Sequence, residues 1–136
     1  MSSGGVIRTG IDIVEVGRFA LAARRRGERF WNRLFTKVER DLASGRRNRD
    51  QFWAGRFAAK EAVLKALGTG LGAARWHDVE VQKGPRGEPV IVLQGAVAER
   101  ARQEGISRIL VSISHTRSYA VASAIAVAGD SQRFLE

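Results

Sequence analysis

The chain reads as a single α+β domain in which a largely antiparallel sheet packs against one long helix. Three observations predict it. Segments rich in β-branched residues stand once near the start and in two hairpin-like pairs in the second half. A helical block, residues 19–67, lies between them. No repeat, low-complexity block or linker divides the 136 residues, a length suited to one core, expected over about 6–128 of a domain spanning 1–136.

Residues 6–16 form the first expected strand, with Gly10 near its middle and Asp12 between Ile11 and Ile13. A carboxylate in a core strand needs a partner or a cation; on a half-exposed strand it can simply face outward. Residues 19–35 favour helix with a break at Gly27, and Leu21, Phe30, Trp31, Leu34 and Phe35 supply apolar anchors. Thr36-Lys37-Val38-Glu39 is a capping box that starts a short helix. Gly45 should stop it, and 44–48 read as a basic turn.

The long helix covers 49–67. Phe52, Trp53, Phe57, Leu64 and Leu67 mark its buried stripe, alanines at 54, 58, 59, 62 and 66 favour helix and close packing, and Gly68 ends it. A hairpin follows over 76–93, with its turn at GPRGEP. A short helix covers 96–103 and stops at Gly105. The last hairpin pairs 109–113 with 119–127 around a turn at 115–118, and the polar tail after Gly129 should be loose.

Composition narrows the function classes. A hydrophobic content of 44% excludes a disordered tail. No apolar run approaches the length of a membrane span, and MSSGGV lacks the regions of a signal peptide. With no cysteine there is neither a disulfide framework nor a thiolate metal site, so a cytoplasmic location is expected. The net charge is +9, and residues 18–56 hold twelve basic against four acidic residues, nearly the whole excess. Such a surface attracts an acidic partner: nucleic acid, membrane or acidic protein. The plainer alternative is a solvated, arginine-rich face.

The densest chemical signal is GRFAAKEAVLKALGTGLG from Gly55. Glu61 and Lys65 lie one helical turn apart, next to a loop with Gly68, Gly70 and Gly72. A carboxylate and an ammonium side by side suit a metal–phosphate site, or else an ordinary i, i+4 ion pair of roughly 0.2–0.5 kcal/mol. The glycine loop is no Walker motif, and it follows a helix instead of preceding one. Magnesium seeks one or two carboxylates plus water and substrate phosphate. Asp12 and Glu61 stand out among the 14 acids because each lies in an apolar or alanine-rich element, most other acids reading as exposed surface. Arg56 or Lys60 could pair with them structurally instead. His115, between Ser114 and Thr116 with Arg117 nearby, offers donors for an anion, whereas His77 has no evident companions. Without a G-x-S-x-G elbow, a nucleophilic hydrolase is disfavoured.

Three separated segments resemble the signature of the holo-[acyl-carrier-protein] synthases, the small bacterial class of 4'-phosphopantetheinyl transferases. They are GIDIVEVGRF from Gly10, GRFAAKEAVLKALGTGLG from Gly55 and VSISHTRSYAVA from Val111. The hairpin WHDVEVQKGPRGEPVI fits as well, and the likeness runs over about 7–127 in the family's order. The resemblance implies the 4'-phosphopantetheinyl transferase fold and transfer of 4'-phosphopantetheine from coenzyme A to a serine of an acyl carrier protein, releasing adenosine 3',5'-bisphosphate. It implies Mg2+ held by Asp12 and Glu61, with Lys65 on the phosphates as a third catalytic residue. Coenzyme A would also meet Arg56, Gly68, Thr69 and His115, and Arg18 would dock the acidic carrier. It further implies a homotrimer with active sites between subunits, and a role in fatty acid or polyketide synthesis without nucleic acid or membrane partners. Glu61, Glu15 or a bound water stay open as proton acceptors. Arg8 and Thr9 depart from the small residues usual at the start of the first motif, the run Arg24-Arg25-Arg26 is heavier than usual, and 73–76 and the tail carry no family signal. Two alternatives remain: a basic nucleic-acid-binding module, which lacks any zinc-finger, RNP or basic-zipper pattern, and an inactive carrier-binding relative.

Overall fold

The computed structural model describes residues 5–43, 49–68 and 75–129. The elements in order are β1 (Gly5–Glu15), α1 (Val16–Arg26), α2 (Glu28–Leu34), α3 (Lys37–Leu42), α4 (Arg49–Ala66), β2 (Val79–Lys83), β3 (Pro89–Leu93), α5 (Gly95–Gln103), β4 (Ile106–His115) and β5 (Tyr119–Ala128). The expected α+β class with antiparallel pairing is borne out. The strands form two sheets among the described residues: β1-β5-β4 and β2-β3, each fully antiparallel. Ser44–Asn48 with Gly45, Thr69 with its glycine loop, and the tail beyond Gly129 lie outside the described residues.

Local chemistry sets several boundaries. Gly27, at φ +73°, separates α1 from α2, a left-handed backbone that a side chain resists. The capping box forms: Thr36 Oγ1 accepts from Glu39 N–H at 3.2 Å, and Glu39 Oε1 accepts from Thr36 N–H at 2.8 Å. Gly68, at φ +70°, follows α4. Three expectations need correction. Residues Trp76–Asp78 form a 3-10 turn instead of the start of a strand, because the Asp78 carboxylate and carbonyl are taken by the backbone N–H groups of Arg75 and Gln94. The strand expected over 109–113 extends over Ile106–His115, so His115 ends a strand and is not in the turn. The expectation that most acids other than Asp12 and Glu61 lie on exposed surface does not hold for Glu39, Asp78 and Glu80, which are buried.

The core surrounds α4. Ala58, Ala59, Ala62, Val63, Leu64, Ala66 and Leu67 pack with Val79, Val81, Val97 and the inner alanines of β5. Ala120, Ala122, Ala124 and Ala126 are at most 1% exposed, so the sheet lies almost directly on the helix. A second cluster, with Phe19, Phe35, Phe52 and Trp53, joins α1, α2 and α3 to the first half of α4. The Phe35 and Trp53 ring centroids are 4.5 Å apart. The helix is therefore buried around most of its circumference, not along one stripe.

Candidate active site

β1 crosses α4 at Gly10. A Cβ there would meet the Ala62 carbonyl oxygen at 2.1 Å and the Ala66 nitrogen at 2.8 Å, so any side chain would force strand and helix apart. Asp12, two residues on and on the same strand face, is thereby laid along the helix. Lys65 Nζ donates to Asp12 Oδ1 at 2.8 Å and to the Ile11 carbonyl at 3.0 Å. The Asp12 side chain is only 12% exposed, and its Oδ2 is buried without a hydrogen-bond donor. Its carboxylate faces that of Glu61, one helical turn before Lys65.

The electrostatics of the trio follow from this crowding. Burial, then the hydrogen bond and charge of Asp12, push the Glu61 carboxyl up to about 7, while Lys65 pulls the other way. Lys65 is held above its ordinary range, first by its hydrogen bond to Asp12. Two facing carboxylates need a proton or a cation between them. The trio thus presents an oxygen-lined position with one flanking ammonium.

The site opens into a cleft of about 600 Å³ lined by Asp12, Val14, Phe19, Phe57, Glu61 and Tyr119, with Glu15 and Arg18 at the rim. Phe19 and Phe57, ring centroids 5.3 Å apart, make one wall. Arg18 is exposed and 3.7 Å from Glu15. Sequence reading missed the aromatic walls, which looked like ordinary core residues, and it missed why Gly10 is needed.

The other expected residues are placed differently. His115 lies at the exposed end of β4, two strands from β1: it faces Ala120 of β5, which faces Val14. Arg56 is buried in α4 with its guanidinium 4.6 Å from the Phe52 ring centroid. It is neither part of the basic surface nor among the residues lining the cleft. Gly68 follows the last turn of α4, its N–H donating to the Lys65 carbonyl at 3.0 Å. Lys60 does not serve Asp12 or Glu61. It turns to the opposite side, where its ammonium meets Glu39 Oε1 at 2.8 Å and the Trp76 and Val79 carbonyls at 3.0 and 2.7 Å. A signal for this pair was present in the sequence: Glu39 sits at the third position of a capping box and Lys60 in an alanine-rich run, but nothing in either segment pointed to the other.

Known proteins match both the sequence and the fold. Residues 8–124 match the 4'-phosphopantetheinyl transferase superfamily. A holo-[acyl-carrier-protein] synthase of Desulforudis audaxviator is 49% identical over 129 residues, 94% of this chain and 98% of that protein. The crystal structure of the holo-[acyl-carrier-protein] synthase of Neisseria meningitidis aligns with a TM-score of 0.81 at 29% identity, covering 90% of this chain and 98% of that one. That of Helicobacter pylori, in complex with coenzyme A, aligns with a TM-score of 0.76 at 31% identity, covering 87% and 98%. With strand, helix and carboxylates in this arrangement and relatives alike over nearly their full length, the chain belongs to the 4'-phosphopantetheinyl transferase superfamily.

Proposed function

We infer that the chain is a holo-[acyl-carrier-protein] synthase, an enzyme that transfers 4'-phosphopantetheine from coenzyme A to a serine of an apo acyl carrier protein. The observation that carries this reading is the juxtaposition of Asp12 and Glu61, which line an aromatic-walled cleft, with Lys65, whose ammonium is bound to Asp12. In the reaction the serine oxygen attacks the phosphorus that bears the pantetheine arm. The bond from that phosphorus to adenosine 3',5'-bisphosphate breaks, and the serine proton passes to a base. Transfer of this kind depends on positioning and charge neutralisation more than on covalent chemistry.

The donor set fits Mg2+. A buried carboxylate oxygen lacks a donor and a second carboxyl faces it, both hard oxygen ligands. Among the described residues no third carboxylate or histidine joins them, which suits a cation completed by water and substrate phosphate. Asp12 and Glu61 would hold it, and when bound it supplies charge neutralisation at the pyrophosphate. Lys65, exposed over much of its side chain, adds a point charge for a phosphate oxygen. Glu61 and Glu15 both stand in the cleft as acceptors for the serine proton. Arg18, at the rim and free to turn outward, would meet the acidic carrier, with Arg24, Arg25 and Arg29 exposed nearby.

His115, Arg56, Gly68 and Thr69 are proposed to contact coenzyme A. His115 stands apart from the carboxylates within one chain, which favours sites completed by a neighbouring copy in a homotrimer. The outer face of the three-stranded sheet supports this: Ile11, Ile13 and Leu110 are exposed there, Ile13 at 64%. Such a face is a candidate for burial between copies. A role in fatty acid synthesis in the cytoplasm fits this chemistry. Among the described residues no helix is long and apolar enough to cross a membrane.

The test is direct: incubate the protein with coenzyme A, Mg2+ and an apo acyl carrier protein, and weigh the carrier by mass spectrometry. A pantetheine-sized gain that disappears with chelator is expected. No gain with several unrelated carriers would overturn the reading.

A further inference from the structure

The inner face of β1 meets α4 at three successive positions, and only two of them belong to the site described. Gly10 makes the close approach, and Asp12 takes Lys65. The third is Arg8. Its Nε donates to the Ala66 carbonyl at 2.9 Å. That carbonyl belongs to the last turn of α4, where acceptors lack helical N–H partners. Its guanidinium lies beside Gly68: a Cβ added there would come into ordinary van der Waals contact with Arg8 Nε, at 3.9 Å. The other edge of the guanidinium, Nη2, is bound by the Glu104 carboxylate in an ion pair. Glu104 caps the C-terminal end of α5 and is itself 3.7 Å from Arg100. Arg8 therefore joins β1, the end of α4 and the end of α5 through one planar group with two separate partners.

The consequence lies one residue away. Lys65 is the residue before Ala66, and among the described residues its ammonium donates to two acceptors on β1, Asp12 Oδ1 and the Ile11 carbonyl. If the last turn of α4 frays, Lys65 and Gly68 move together. A guanidinium on the helix carboxyl end also matches the partial negative charge there. We propose that Arg8, anchored by Glu104, is a positioning residue of the transfer site: it pins the final turn of α4 to β1 and so holds Lys65 beside Asp12 and Glu61 in the geometry that receives the phosphate donor.

The proposal rests on the transferase reading above. Its test joins steady-state kinetics for both substrates with amide hydrogen exchange. For Arg8→Ala, the KM for coenzyme A is expected to rise roughly tenfold, the size of one lost charge-assisted hydrogen bond, with the KM for the carrier nearly unchanged. Arg8→Lys keeps one donor for the Ala66 carbonyl and should fall between, and Glu104→Gln should shift coenzyme A binding in the same direction by less. Peptides covering 61–68 should exchange faster in Arg8→Ala, while those covering 16–26 do not. A purely structural role would lower the folded fraction, reducing kcat with both KM values intact; that result, or unchanged exchange over 61–68, overturns the proposal. A wild-type protein with no transfer activity would sink the transferase reading itself, and the exchange measurement would then decide alone whether Arg8 holds the turn.

Discussion

Two lysine–carboxylate clusters sit on neighbouring residues of α4, and they differ in how completely they are satisfied. Lys60 and Glu39 are both 0% exposed. The Glu39 carboxylate accepts from Thr36 N–H, Val81 N–H at 2.7 Å and the Lys60 ammonium, which in turn reaches two carbonyls. Every strong donor and acceptor there has a partner inside the protein. Asp12 and Glu61 line a cleft, with Lys65 bound to Asp12, one oxygen lacking a donor and two carboxyls in conflict. A complete cluster ties elements together, here α3, α4 and β2. An incomplete one stores a demand that a ligand can meet. Neighbouring residues on one helix thus serve structure and chemistry because they lie on different faces of it.

The largest expected effect separates the two roles. Glu61→Gln should lower kcat/KM by roughly 10²–10³-fold, as loss of a principal electrostatic group does, while the thermal midpoint stays level or rises because the conflict with Asp12 is relieved. A mutant that unfolded instead would show that Glu61 belongs with the structural cluster. Glu39→Gln should do the reverse. It leaves a buried ammonium without its counter-charge, at about 3–5 kcal/mol of stability. The molecules that remain folded should keep their activity, measured per folded fraction well below the midpoint. Adding Lys60→Met should recover part of the loss, not all, since the Trp76 and Val79 carbonyls would then lose their donor.

A smaller effect concerns pH. Glu61 binds its proton more tightly when folded, its value of about 7 standing above the ordinary 4.5. Between those values the folded state holds more protons, so without metal the stability falls as pH rises. For a half-buried, screened group this is on the order of 1 kcal/mol. Urea melts at pH 5 and pH 8 with chelator should show the slope, and Glu61→Gln should flatten it. Saturating Mg2+ should raise stability more at pH 8 than at pH 5, because the cation competes with that proton. The smallest effect lies at the rim. Arg18→Ala should raise the KM for the carrier a few-fold and lessen its salt dependence, leaving coenzyme A kinetics alone, since exposed charges act mainly on encounter.

Much of this comparison was legible before the fold. Asp12, Glu61 and Lys65 stood out as carboxylates and an ammonium in elements otherwise apolar or rich in alanine, and the capping box, the Gly27 break and the extent of α4 followed from local rules. The Glu39–Lys60 pair did not, because its members lie 21 residues apart in different elements and each has an ordinary surface explanation. Arg56 misled for a related reason: an arginine in a basic run reads as surface until packing lays it over Phe52. The 3-10 turn at Trp76–Asp78 was hidden because alternation in HDVEVQ starts one turn before the ladder does.

What the sequence determined by itself is therefore local and periodic: which segments are helix or strand, where they stop, and which residue types carry ligand chemistry. Those outcomes depend on backbone sterics, capping and side-chain spacing, all acting within a few residues. The tertiary structure alone decided which charged groups meet. Whether Lys60 seals a core or Lys65 reaches Asp12 depends on the rotation of α4 against β1. That rotation is set by the absence of a Cβ at Gly10, where strand and helix touch, and by the depth to which the alanines of β5 let the sheet settle on the helix.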